Sequence, residues 1–416
     1  MDALRVEGLR AQLLDFTSDV FASLTRAGWR ERGECYLRGL MLDGKRKSIQ
    51  PMAARVPQVH EQALNHFVTS SPWDPVPVRR RLAQKMAGAV DPQAWVLDDT
   101  GYLKNGNASP CVARQYTGTA GKVTNCQVGV SLHVASQVAS CPVNWRLFVP
   151  ERWDPASAKA APDVHARRAK AAIPDEVGHR EKWRLGLDMI DEVIDWDLTP
   201  PPLVADAGYG EIGEFRQGLE DRDIRYVVQV ACTVTAYPES VQRTAPPYRG
   251  NGPYPVQIYR EASPTVKQLA RAAGRSAART VTWRQGSKRR GGATMAMRST
   301  FLFLPVRPAA TAHRRAHQGQ DLPVRWLIVE WPPGAPEPTK YWLSDLPATT
   351  PRAELVRLAK LRWRIEHDYR ELKDGLGLDH YEGRTWNGWH HHVTLVSAAH
   401  AFCTLQRLDP KAPAPA

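Results

Sequence analysis

The sequence predicts an α/β fold with a mixed sheet and flanking helices, led by a helical N-terminal domain and interrupted by a β-rich insertion. Three observations predict it. Apolar residues recur at three-to-four spacing early in the chain (Leu13, Leu14, Phe16, Val20, Phe21, Leu24), the period of helices with one buried face. From Trp95 that period gives way to short apolar or alternating runs, the mark of strands. Beyond these, helical and strand-like runs alternate, as they do where helices cover a sheet.

In order, residues 1–88 form a helical domain with two basic triplets, Lys45-Arg46-Lys47 and Arg79-Arg80-Arg81. Both suit a DNA-end-binding role, and a solvated helix face accounts for either one taken alone. AWVLDD is the first strand; NCQVGVSLHV and VNWRLFV follow as a meander, parted by Ser-Gln-Val-Ala-Ser. The Ala-, Lys- and Arg-rich stretch from Ala158 to Lys170 is an exposed helix or loop. EKWRLGLDMIDEVIDW then predicts a helix, PLVADA a strand, EIGEFRQGLEDR a helix and RYVVQV a strand. Three antiparallel strands followed by alternating helices and strands is the ribonuclease-H-like order, assigned to 89–235. Residues 236–322 hold TAPPYRGNGPYP, the run Lys288-Arg289-Arg290-Gly291-Gly292 and STFLFLPV; they break the pattern and are assigned to an insertion rather than to the sheet. RWLIVEW and YWLSDL resume strand character in 323–408, which closes with helices from about Pro351 to Gly375 and from about Gly388 to Leu408. The tail, 409–416, is expected to be disordered.

Composition narrows the function. Lys and Arg number 56 against 43 Asp and Glu, a net charge of +13, which favours a polyanionic partner through phosphate neutralisation. No apolar run approaches the roughly 20 residues that span a bilayer, and MDALRVEGLRAQ lacks a secretory pattern. Six cysteines are scattered without a CxxC pair; they are expected to be buried, reduced thiols in a cytosol.

Carboxylates carry the chemistry. Asp98-Asp99 and Asp206 each end a strand-like run, where a rigid backbone points a side chain into an open cleft. Oxygen donors of this kind suit Mg2+. Two such ions about 4 Å apart serve phosphoryl transfer by stabilising both the attacking and the leaving oxygen. Turn chemistry is the alternative for either aspartate alone. Strand alternation groups Asp98 with Val96 and Thr100, and Asp99 with Leu97. This favours Asp98 without deciding, because both faces of such a sheet are covered. On the helix that follows Pro351, about 100° per residue sets Glu366 at about 40° and Lys373 at about 20° from Arg362, with Glu371 at about 180°. An Arg–Glu surface pair explains Arg362 and Glu366 equally well in isolation.

Arg362-x3-Glu366-x6-Lys373 within RWRIEHDYRELK resembles the R-E-K part of the Y-R-E-K signature of IS4-like DDE transposases. DDTGYLKNG, VARQYTGTAGKVTNCQVGVSL, ADAGYG and GRTWNGWHHHVTLVSAAHAF resemble, in order, the IS701 family of insertion-sequence transposases. The resemblance implies a ribonuclease-H-like core, Mg2+ (with Mn2+ as a substitute), and three ligands: Asp98 or Asp99, then Asp206 and Glu366. It implies phosphate contacts from Arg362 and Lys373, DNA as partner (terminal inverted repeats and target), a homodimer on DNA, and a bacterial, nucleoid-associated protein in the cytoplasm. Ala359 stands where the signature has Tyr, so the step that Tyr serves in hairpin-forming relatives has no counterpart there. The β-rich stretch between Asp206 and Glu366 resembles the insertion domain of IS4-like enzymes.

Other residues carry weaker signals. QYTGTAGK lacks the GxxxxGK[ST] spacing of a nucleotide loop and predicts a glycine-rich turn, with Arg114 and Lys122 within reach of DNA. His390-His391-His392, consecutive on a helix, diverge and are not joint ligands. Trp386 and Trp389 are expected in the core or in helix docking. No Ser-His-Asp arrangement is visible. The alternative functions are a non-catalytic DNA-binding regulator or relic, and a nuclease of RNA–DNA hybrids.

Overall fold

The computed structural model describes residues 3–56, 58–252, 254–288 and 294–409. Arg289, Arg290, Gly291 and Gly292 of the basic run, and 410–416 of the expected tail, lie outside the described residues. The chain divides into two compact units, Met1–Thr199 with Trp363–Ala416, and Pro200–Arg362.

The first unit opens with helices α1 (Ala3–Val20), α2 (Ala27–Met41), α3 (Ile49–Arg55), α4 (Glu61–Thr69) and α5 (Pro75–Val90). Asp74 caps α5 by accepting the Val76 N–H, with Pro75 supplying a preset first turn. Strands β1 (Ala94–Leu103), β2 (Ala113–Thr117), β3 (Lys122–Ala135) and β4 (Ser140–Leu147) follow. β3 is antiparallel to β1, β2 and β4. Helices α6 (Val164–Ala171) and α7 (Lys182–Asp195) come next. α7 lies so close on the sheet that a Cβ on Gly186 would meet Leu97 Cδ2 at 2.4 Å.

In the second unit β5 (Leu203–Ala205) leads through α8 (Ala207–Gly210) and α9 (Gly213–Glu220) to β6 (Tyr226–Val230), which runs parallel to β5. Then come β7 (Ala236–Pro238), α10 (Val266–Ala273), β8 (Arg279–Lys288), β9 (Thr294–Pro308), α11 (Thr311–Ala316), β10 (Arg325–Glu330), β11 (Lys340–Ser344) and α12 (Arg352–Leu361). The antiparallel meander followed by a helix-linked parallel pair is the mixed α/β order expected.

The chain returns to the first unit with α13 (Trp363–Arg370), a π-helical turn (Glu371–Gly375) and α14 (Trp386–Leu408). α14 is buried along most of its length, against β4, α2, α4 and α5. Its three consecutive histidines point to separate partners. His390 Nδ1 is 3.0 Å from Trp386 O, and His392 Nδ1 is 2.9 Å from the Tyr36 hydroxyl. His391 lies 2.8 Å from both Val68 O and Trp73 O and stacks on Trp73 at 3.8 Å. Trp389 is core, as expected.

Four expectations are corrected. The helix from Pro351 to Gly375 is not continuous: α12 ends at Leu361, α13 runs from Trp363 to Arg370, and Glu371–Gly375 is a π-helical turn. The stretch 236–322 is not outside the sheet, because Phe301–Val306 of β9 pairs with Arg325–Glu330 of β10. Phe301, Leu302 and Val306 are buried there. Not all thiols are buried; Cys232, just past the end of β6, is exposed. The basic triplets are partly structural. Arg79, 3% exposed, donates to Trp145 O, while Arg80 pairs with Asp197 and Arg81 with Asp19. Lys47 is buried with its ammonium on Leu42 O. Buried cations need such acceptors. Among the described residues, no helix is long and apolar enough to cross a membrane.

Two predictions follow from this packing. A methyl group on Gly101 of β1 would meet Thr117 Oγ1 at 2.0 Å. Gly101→Ala is expected to destabilise by about 1–3 kcal/mol through overpacking, and adding Thr117→Gly to recover part of it, read by chemical denaturation. Burial pushes His390 and His392 down to about 3, whereas unfolded imidazoles titrate near ~6.5. Their contribution is therefore complete above that unfolded value and is lost as pH falls toward the folded one, by up to ~1.4 kcal/mol per pH unit for each histidine. Melting temperature should fall across this window, and His390→Leu should flatten the slope.

Candidate active site

Asp98 and Asp99 occupy opposite faces of β1. Asp99 Oδ2 accepts from Lys182 Nζ at 2.6 Å, on the face covered by α7. Asp98 is 6% exposed, its Oδ1 accepts the Asp99 N–H at 2.8 Å, and its cross-strand partner is Ser131. Ser131 Oγ is 2.6 Å from the hydroxyl of Tyr369, so the Asp98 face is the one on which α13 lies. Glu366 sits one turn before Tyr369 on that helix and is exposed.

Asp206 and Arg362 belong to the second unit. Asp206 follows β5 directly, at the N-cap position of α8, half-buried. Arg362 is the C-cap residue of α12. Lys373 is drawn in by the π-turn: its ammonium donates to Gly101 O at 2.9 Å and Thr119 Oγ1 at 3.0 Å, and burial lowers its pKa. Thr119 Oγ1 also accepts the Gly101 N–H at 3.1 Å, so the tip of the β2–β3 hairpin is tied to the strand that carries Asp98. QYTGTAGK is thus a hairpin turn, with Arg114 and Lys122 exposed on its two arms. Glu371 turns away to α14. Burial opposes its charge, but hydrogen bonds from His400 and Arg407 hold it well below the usual carboxylate range.

The structure also assembles residues that the sequence did not connect. Asp368 Oδ2 is 3.0 Å from His133 Nδ1, and His133 Nε2 is 2.9 Å from Ser131 Oγ. Burial works to raise Asp368, but the His133 hydrogen bond and the nearby imidazoles hold its pKa below the ordinary value. Burial lowers that of His133 against the pull of Asp368. The pair is therefore a carboxylate and a neutral imidazole. Ser131 and His133 are fully buried, so this Ser-His-Asp string has no room for an acyl substrate. Their positions in sequence, separated by more than two hundred residues, hid them.

Two basic features complete the surface. A cleft of about 470 Å³ at the end of β1 is lined by Arg46, Lys104, His380 and Arg384, with Asp379 and Glu382. Between Glu261 and Asp321 the chain has twelve lysines and arginines and no acidic residue, a signal legible in the sequence and missed by attention to Lys288-Arg289-Arg290 alone. Two aspartates and a glutamate offer the hard oxygen donors that Mg2+ takes. Among the described residues no three His, Cys, Asp or Glu side chains are gathered to hold an ion.

Comparison with known proteins places the chain. A family model described as DDE superfamily endonuclease matches residues 19–290. The probable transposase for insertion sequence element IS701 from Microchaete diplosiphon is 26% identical over 197 residues, which is 46% of this chain and 46% of that protein. The chain thus spans less than half the length of that relative. The piggyBac transposase in a synaptic complex with hairpin DNA aligns over 98% of this chain and 80% of its own, at 10% identity and a TM-score of 0.35. Since the family model covers well over half of the sequence, including Asp98 and Asp206, the chain belongs to the DDE superfamily endonucleases.

Proposed function

We propose that this protein is a transposase that cuts DNA at the ends of a mobile element and joins them to a target. The observation that carries the reading is the family match over residues 19–290, which contains the two strand-borne aspartates, Asp98 and Asp206. The IS701 resemblance and the net charge of +13 support it. Asp98, Asp206 and Glu366 would hold Mg2+ (or Mn2+), which when bound would supply Lewis-acid stabilisation of the phosphoryl oxygens.

The chain's own residues do the rest. Asp98 is assigned over Asp99 because it lies on the face of β1 on which α13, the helix of Glu366, packs, whereas Asp99 lies on the face of Lys182. Lys373, with two of its three hydrogens on Gly101 O and Thr119 Oγ1, keeps one for a phosphate and fixes the hairpin beside it. Arg362, with its planar fork, and the exposed Arg114 and Lys122 bind further phosphates. Such contacts position DNA and make affinity fall with salt. Joining two element ends calls for two copies of the protein on DNA, in a bacterial cytoplasm where the nucleoid is the substrate.

The test uses the full chain and a supercoiled plasmid carrying the DNA that flanks the gene at its native locus. Magnesium-dependent nicks at inverted repeats are expected. Asp98→Asn, Asp206→Asn and Glu366→Gln should each lower the rate at least ~100-fold, the scale for losing an essential active-site group, with DNA affinity kept. Asp99→Asn should stay within about threefold, as its ion pair is partly exposed. DNA binding without metal-dependent cleavage would replace this reading with that of a non-catalytic DNA-binding protein.

A further inference from the structure

The turn that carries Asp206 is held from behind by a buried cation. Asp206 stands between β5 and the one-turn helix α8, and its carbonyl oxygen accepts the Gly210 N–H at 2.8 Å and the Tyr209 N–H at 3.3 Å. Gly210 closes that turn. It lies so close on β6 that a Cβ there would overlap Gln229 O and Val228 Cβ. The end of a helix leaves carbonyls without an intrahelical donor. The Gly210 carbonyl takes its donor from a side chain, Arg216 Nη1 of α9. Arginine can only donate and a carbonyl can only accept, so the direction of this bond follows from the residue types alone.

Arg216 is 0% exposed, and among the described residues its Nε and Nη2 have no hydrogen-bond acceptor. Burying a guanidinium for one carbonyl is a poor route to stability, and an apolar side chain would fill the place at lower cost. The surroundings are nonetheless built to hold it still. One turn further along α9, Glu220 receives Arg325 of β10 through two bonds, 2.9 Å on Oε1 and 2.8 Å on Oε2, and the Tyr226 hydroxyl of β6 at 2.9 Å. His313 of α11 lies 3.6 Å from the same carboxylate, and Gly213 of α9 leaves no room for a Cβ against Ala310. The helix α9 is therefore fixed to two strands and to α11, and Arg216 extends that rigidity to α8.

We infer that Arg216 is a positioning residue for Asp206: by locking the turn that follows the aspartate, it sets the place from which that carboxylate meets a divalent cation. The inference rests on the transposase reading, in which Asp206 is an ion ligand. Groups that orient a ligand matter on the scale of about 10–100-fold in ion affinity. Arg216, sealed from solvent, meets no DNA. It acts through the backbone of Gly210 and Asp206, and no proton changes hands.

The test uses the full chain with Mn2+ alone as probe, its binding read by electron paramagnetic resonance, beside the Mg2+ dependence of nicking on the flanking-DNA plasmid. Arg216→Met should weaken Mn2+ binding and raise the half-saturating Mg2+ about tenfold. Excess Mg2+ should restore the rate, and thermal unfolding should stay close to wild type, since the buried cation is removed together with its bond. Arg216→Lys, which keeps a donor for Gly210, should recover part of the affinity. In the Asp206→Asn background Arg216→Met should cost no further affinity, because the two act through one group. If Arg216→Met does not fold, Arg216→Gln takes its place with the same expected shift. Wild-type Mn2+ affinity and Mg2+ dependence in the folded Met or Gln variant would overturn the inference. So would a loss that excess Mg2+ does not relieve, or one that adds in full to that of Asp206→Asn. A wild type that does not nick, or an Asp206→Asn protein with full activity, sinks the transposase reading or its ligand set instead.

Discussion

A carboxylate buried inside the first unit holds α13 to its sheet. Asp368 is 3% exposed, yet both of its oxygens are satisfied, one by Ser140 and one by His133. A charge so placed is tolerated only with such partners, and removing one from a buried pair costs about 3–5 kcal/mol. His400, with Nε2 at 3.9 Å from Asp368 and 3.3 Å from Glu371, adds α14 to the same cluster. The depth and rotation of α13 follow from this fixed point. With Asp368 inward, Tyr369 meets Ser131, and Glu366 comes to the exposed side of the helix.

The π-turn after Arg370 then resets the phase. Such turns insert extra chain into an α-helix and recur at functional sites. Here the turn lets Glu371 reach Arg407 on α14, through bonds of 2.7 and 2.8 Å, while Lys373 reaches Gly101 and Thr119 on the other side. Lys373 thereby couples the helix to the β2–β3 hairpin, and the hairpin to the strand of Asp98. Lys373 is thus a framework residue. A cation that fixes a loop by two hydrogen bonds has surrendered the freedom of a long side chain before any phosphate arrives.

Much of the basic charge follows the same economy. Arg79, Arg80, Arg81 and Lys47 spend their hydrogens inside the first unit. In the second unit the acid-free stretch between Glu261 and Asp321 runs through the β8–β9 hairpin, with Arg279 and Arg298 exposed. Part of that run is likewise engaged: Lys267 and Arg271 pair with Glu337, Arg275 donates to Ala335 O and Pro332 O, and Arg307 donates to Leu322 O. Which of these cations has an acceptor near in space is something that spacing along the chain does not report.

The sequence by itself determined the fold class, because helix and strand periods are local: α7, β5, β6, β10, β11 and α14 fall where their apolar residues recur. It also singled out Asp98-Asp99, Asp206 and the helix of Glu366, since those motifs are short, but Asp98 and Asp99 lie in the middle of β1 rather than at the strand end expected, because the ladder with β3 continues to Leu103. Tertiary structure alone decided the rest. The break between α12 and α13 is not visible in the apolar period, and the membership of β9 in the sheet depends on its partner β10. The separation of Asp98 from Asp99 came from Lys182 on α7, and the string from Asp368 to Tyr369 joined residues of β3 and α13. Hydrogen bonds and ion pairs depend on distance in space, and only folding brings together residues so far apart in the chain.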